Sequence, residues 1–102
     1  MAELAEALFN RRETLKKFTA TVDFANMAAT GAADEQSVTC AGVVLGDCVI
    51  GVSGSLDLDK VVMWGRVSAA NTVKVVIENL TAGALNPGSQ TVTIWVLKNT
   101  TT

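Results

Sequence analysis

The stretch VTCAGVVLGDCVIGVS, Val38 to Ser53, decides the fold. It is the most apolar run in the chain, and Gly42, Gly46 and Gly51 interrupt it. A spanning helix needs about 20 apolar residues, and here the glycines and Asp47 break the run first. A zinc site needs four ligands, and Cys40 and Cys48 lie too far apart for the usual closely spaced pair. The run therefore reads as a strand, a corner and a strand. Gly42 follows a strand over Gln36–Cys40, and Gly46-Asp47 is a turn pair. Cys48, Ile50 and Val52 then alternate with Val49, Gly51 and Ser53. Val43, Val44 and Leu45 are expected to cap the core at the corner. Cys40 and Cys48 read as two small apolar core residues, since free cysteine is among the most buried types. A disulfide between them is geometrically open, and a reducing cytosol disfavours it.

The period-two pattern extends to both sides. Phe18, Ala20, Val22 and Phe24 alternate with Thr19, Thr21 and Asp23, which predicts a half-buried strand. The small-residue stretch around Gly31 reads as a surface excursion. Residues 53–60 form a loop, whose Asp57 and Asp59 are too few for a calcium loop. Val61–Val67 and Val73–Asn79 form a hairpin through Ser68–Thr72. Leu80–Gln90, with the chain's one proline, is a loop, and Thr91–Lys98 is the last strand. The expected fold is all-β: an antiparallel β-sandwich or jelly-roll-like small barrel of about six strands. It covers residues 18–98, with a flexible tail at 99–102.

Residues 1–17 differ in kind. Residues 2–16 are rich in Ala, Leu, Glu, Arg and Lys, all good helix formers. Leu4, Leu8 and Leu15 fall on one side at helical spacing, with acids early and bases late. A short N-terminal helix or arm is predicted, seated on another subunit or protein. Leu4, Leu8, Phe9, Arg11 and Arg12 are its candidate docking residues.

Composition narrows function. Among 102 residues, 49% are hydrophobic and 18% charged, and the net charge is −2. An apolar excess in so small a domain points to a partner covering part of the surface. No basic stripe exists for nucleic acid. The chain has no histidine, hence neither the commonest general base nor the commonest transition-metal ligand. With no nucleophile motif or phosphate-binding glycine loop, no catalytic, metal-binding or cofactor-binding residue is assigned and no enzyme activity is expected. The acidic opening MAELAEALF lacks the character of a secretory signal, so synthesis in a cytosol and no membrane association are expected.

The second face of the C-terminal strands is also apolar. Val62, Trp64, Val76, Trp95 and Leu97 all sit out of phase with the core positions. They are the candidate interface of a homo-oligomer, a ring-shaped trimer or a dimer.

The span Val38 to Lys98 resembles a domain of tailed-bacteriophage virion proteins. The resemblance lies in the Gly46-Asp47 corner, the V-S-A-x-x-T-V hairpin of Val67–Val73, the Asn-x-Thr of Asn79–Thr81 and the alternating ending Val92–Lys98. It implies a capsid decoration, or cement, protein: a small, often trimeric β-sandwich bound outside the shell of major capsid protein and stabilising it. Location on the virion exterior, after synthesis in the host bacterial cytoplasm, follows from the same resemblance. The alternative is a head- or tail-fibre module that binds host-surface glycans through its long loops.

Overall fold

The computed structural model describes residues 15–58 and 60–99. Residues 1–14 of the expected N-terminal helix or arm, with Leu4, Leu8, Phe9, Arg11 and Arg12, lie outside the described residues. So does the end of the expected tail. The described chain is all-β. Its strands are β1 (Leu15–Phe24), β2 (Ala33–Thr39), β3 (Cys48–Gly54), β4 (Val61–Ala69), β5 (Thr72–Asn79) and β6 (Gly88–Leu97). They form two antiparallel three-stranded sheets, ordered β1-β6-β3 and β2-β5-β4. β1 begins three residues before the expected strand start: Leu15, Lys16 and Lys17, expected at the end of the N-terminal helix or arm, are strand residues paired with Leu97, Val96 and Trp95, because the β6 edge supplies their backbone partners.

Alternation builds one shared core. Val22 and Phe24 of β1, Val38 of β2, Val73, Val75 and Ile77 of β5, and Val92, Ile94 and Val96 of β6 belong to a single buried cluster. The central strands β5 and β6 contribute three β-branched residues each, stiff side chains that suit a pleated surface. Burying each side chain stabilises the fold by about 1.5–3 kcal/mol. β3 and β4 partly cover one side of this core through Val49, Val52, Val61, Met63 and Val67.

β3 departs from strict alternation. Its register shifts between Val49 and Gly51, leaving Ile50 as an extra, unpaired residue. A bulge of this kind inverts the phase of the strand. Val49 and Val52 therefore pack against the core, while Cys48 and Ile50 are exposed. This corrects the expectation that both cysteines are core residues. Cys40 is fully buried, Cys48 lies on the surface, and both are free thiols. Burial pushes the Cys40 thiol pKa upward.

The stretch 25–32 is no simple surface excursion. Met27 is buried in the core, and its backbone exchanges two hydrogen bonds of 2.8 Å with Leu85. Asn79 joins the same two loops from inside. Its side-chain nitrogen donates to the carbonyls of Ala29 (3.2 Å) and Gly83 (2.8 Å), and its oxygen accepts from the Thr81 amide (2.9 Å) and hydroxyl (2.5 Å). Asn79 is fully buried, and the Asn-x-Thr triplet is thus a structural clasp. Replacing Asn79 with Ala removes all four bonds and takes away the acceptor of the Thr81 amide, while the Ala29 and Gly83 carbonyls keep the Ala32 amide and the Thr81 hydroxyl. We expect a loss of about 2–4 kcal/mol, read as a lower urea midpoint with an unchanged slope.

Gly65 marks where β3 crosses β4. A Cβ there would meet Val52 Cγ2 at 3.1 Å and the Lys74 carbonyl at 3.2 Å. Gly65→Ala is expected to lower stability by about 1–3 kcal/mol through overpacking, measured by thermal unfolding. An unchanged melting temperature would show that the two strands can part at no cost.

Candidate interaction surfaces

The five residues read as one interface separate onto two surfaces. Val62, Trp64 and Val76 lie on the outer face of β2-β5-β4, whereas Trp95 and Leu97 lie on the outer face of β1-β6-β3.

On the first face, strand register sets Glu35, Val76 and Trp64 in one row across the sheet. The row on one side holds Ser37, Lys74 and Arg66, and the row on the other holds Ala33, Glu78 and Val62. Val76 is only 3% exposed although it points outward. Its neighbours explain this. The Trp64 Nε1–H donates to Glu78 (3.4 Å), and Arg66 donates to Glu35 (2.8 Å) with its guanidinium 5.9 Å from the Trp64 ring centre. Lys74 stands 3.7 Å from the other Glu35 oxygen. The hydrogen bond from Arg66 is the main reason the Glu35 carboxyl sits below its ordinary pKa. Val76 is therefore covered by its own sheet, while Trp64 (41%) and Val62 remain exposed.

On the second face, the register aligns Leu15, Leu97 and Cys48 in a terminal row and Lys17, Trp95 and Gly51 in the next. Leu15, Leu97, Ile50 and Trp95 (38%) are all exposed, and the Lys17 ammonium lies 5.5 Å from the Trp95 ring centre. Leu15, Ile50 and Cys48 are not among the interface residues expected from the sequence, which places Leu15 on a helix and Cys48 and Ile50 on an inward strand face. The phase inversion at Ile50 that exposes two of them has no single-residue signature.

The corner preceding β3 adds to this end of the molecule. Only Val43 caps the core. Val44 and Leu45 are exposed, Leu45 to 69%, against the expectation that all three are internal. The corner is clamped from both sheets. From the β4–β5 turn, Asn71 donates its amide to the Val43 carbonyl, accepts from the Cys40 amide and takes the Gly42 amide on Oδ1, each at 2.8 Å. From the end of β6, Lys98 Nζ donates to Asp47 Oδ2 (2.5 Å) and also to the Gly42 carbonyl. Asp47 further accepts the amides of Asn99 (2.8 Å) and Val44 (3.0 Å). Gly42 and Gly46 adopt φ of 92° and 103°, conformations that a Cβ would strain.

Among the described residues no group of His, Cys, Asp or Glu is placed to hold a metal ion. No described helix is long and apolar enough to cross a membrane. Comparison with family models, with curated proteins and with solved structures finds no match to this chain.

Asp47 makes the corner acid-sensitive. The Lys98 hydrogen bond, followed by the two backbone amides, lowers its pKa from 3.8 to about 2. A depressed carboxylate contributes stability that is present above its unfolded pKa and lost as pH falls through the folded one. Asp47→Asn should remove this contribution: the stability gap between wild type and variant is expected to be constant above about pH 5 and to close between about pH 4 and pH 2. Urea melts across that range check it, and a pH-independent gap would refute the role of the charge.

Proposed function

We propose that this chain is a structural virion protein: a rigid β-sandwich that binds the outer capsid surface as a homo-oligomer, favoured as a trimer, and stabilises the shell. One observation carries the reading. Exposed apolar side chains stand on the outer faces of two different sheets, Val62 and Trp64 on one, Leu15, Leu97, Ile50 and Trp95 on the other. Contiguous exposed apolar surface marks interaction sites. A cement needs two such surfaces, one for its own copies and one for the major capsid protein. A body cross-tied at its corner by Asn71, Asp47 and Lys98 holds them in fixed relation, and many identical weak contacts on a shell then act together.

Exposed tryptophans beside charged groups also favour the second reading, a fibre module that stacks host glycans. Against it, each ring has a cation near its face, Arg66 at Trp64 and Lys17 at Trp95, which competes with sugar stacking. Binding on a glycan array at millimolar sensitivity would reverse this preference.

The test of the cement reading is the copy number of this chain relative to the major capsid protein in purified virions. A ratio set by icosahedral symmetry is expected. A handful of copies per particle would refute a shell-wide cement, and absence from particles would refute a virion role.

A further inference from the structure

We propose that the edge of β4 away from β5 is a self-association site: two copies pair their β4 strands antiparallel about Gly65, joining their β2-β5-β4 sheets into one continuous sheet. This specifies the homo-oligomer part of the reading above and rests on it.

Among the described residues β4 is hydrogen-bonded to β5 alone, and Val61–Val67 runs in unbroken register with it. The far side of such a strand carries N–H and C=O groups that no neighbour in the sheet takes, which makes it a template for a further strand. Val62, Trp64 and Arg66 are exposed on the outer face of this strand, while Met63 and Val67 pack against the core on the inner one.

Symmetry decides what fits this edge. A two-fold axis normal to a sheet keeps each face on its own side, so opposed residues share an orientation. With the axis at Gly65, Trp64 lies opposite Arg66 of the second copy and Met63 opposite Val67, and each pair forms twice. Directly opposed residues stand roughly 5 Å apart at Cβ, close enough for a guanidinium to lie against an indole ring. Within one chain Arg66 already sits 5.9 Å from the Trp64 ring centre and is held by Glu35 at 2.8 Å, yet Trp64 keeps 41% of its surface exposed. The row Glu35, Val76, Trp64 then continues into Arg66, Lys74 and Ser37 of the second copy, so an anionic end meets a cationic one. Other registers lose this match. An axis at Arg66 opposes two guanidiniums, and an axis at Trp64 sets Arg66 against Val62.

The cation and the ring lie on one strand, symmetric about Gly65, so β4 is its own complement. A strand of another sequence would have to supply both groups itself, which favours a second copy as the occupant. A two-fold contact is isologous and yields pairs, whatever further contact links those pairs.

The experiment uses the purified full chain in reducing buffer, without capsid, and reads the dimer Kd by sedimentation equilibrium. The chain is expected to dimerise. Trp64→Lys opposes two cations across the seam, and Arg66→Glu opposes an anion to the ring. Each should raise Kd at least about tenfold. The double variant opposes a cation to an anion in both pairs and should return Kd to within about threefold of wild type. Circular dichroism and thermal melts verify that every variant is folded. A second measurement leaves β4 unchanged. With Trp95→Phe, Trp64 is the one remaining tryptophan, and its emission should move to shorter wavelength as the protein is concentrated through Kd.

A dimer insensitive to both single changes, or one that forms with no change in Trp64 emission, would overturn this edge and leave the homo-oligomer reading intact. Weakening by the single changes without recovery in the double variant would overturn the Trp64–Arg66 register. A full chain that stays monomeric at millimolar concentration would overturn both the pair and the homo-oligomer reading, whatever its copy number on virions.

Discussion

The fold depends on the contact between two valine-rich central strands. β5 and β6 each send three β-branched side chains inward, and all six are completely buried. Each strand is flanked by two others in its own sheet, so its backbone groups are paired on both sides. Four of the five connections pass from one sheet to the other, and β4–β5 alone is a hairpin. The two sheets are consequently laced together by the chain itself. Neither sheet can bury its apolar face without the other.

Lacing leaves connections that must turn outside the core and still satisfy their polar groups. Two polar side chains meet this demand. Asp47 gathers Lys98 and the amides of Val44 and Asn99 at one corner. Asn79 joins the 25–32 and 80–87 loops, with Met27 pinned beneath. Both positions belong to short motifs conspicuous in the sequence, Gly46-Asp47 and Asn79-Leu80-Thr81. Their roles here are architectural.

The same architecture shapes the outer surface. A sheet whose inner face is filled has only its outer face to offer a partner. The two outer faces are treated differently. Around Val76, a hydrogen-bonded group of Trp64, Glu35, Arg66, Lys74 and Glu78 covers the apolar centre. Around Leu97, a single cation approaches Trp95, and Leu15 and Ile50 stay open. The second face is the less self-sufficient of the two.

Much of the fold was legible in the sequence. Alternation located all six strands, because a strand with one buried face writes its period directly into the chain. The hairpin at Ser68–Thr72 and the corner at Gly46-Asp47 were marked by turn residues whose chemistry is local. Less was legible where one residue changed the phase of everything after it. Nothing in Val49-Ile50-Gly51 by itself announces a bulge, yet that bulge moves Cys48 and Ile50 from core to surface. Met27 was missed because a lone apolar residue among alanines has no period, and its burial depends on Leu85, far along the chain. The interface residues were recognised as outward-facing, but pattern alone carries no information on which sheet a strand joins. The sequence by itself determined where the strands lie, the faces of those without a bulge and the turns, since these follow from neighbours one to four residues apart. The pairing of strands into two sheets, the division of the apolar surface between them and the burial of Asp47 and Asn79 were decided only in the tertiary structure, where residues some fifty positions apart come into contact.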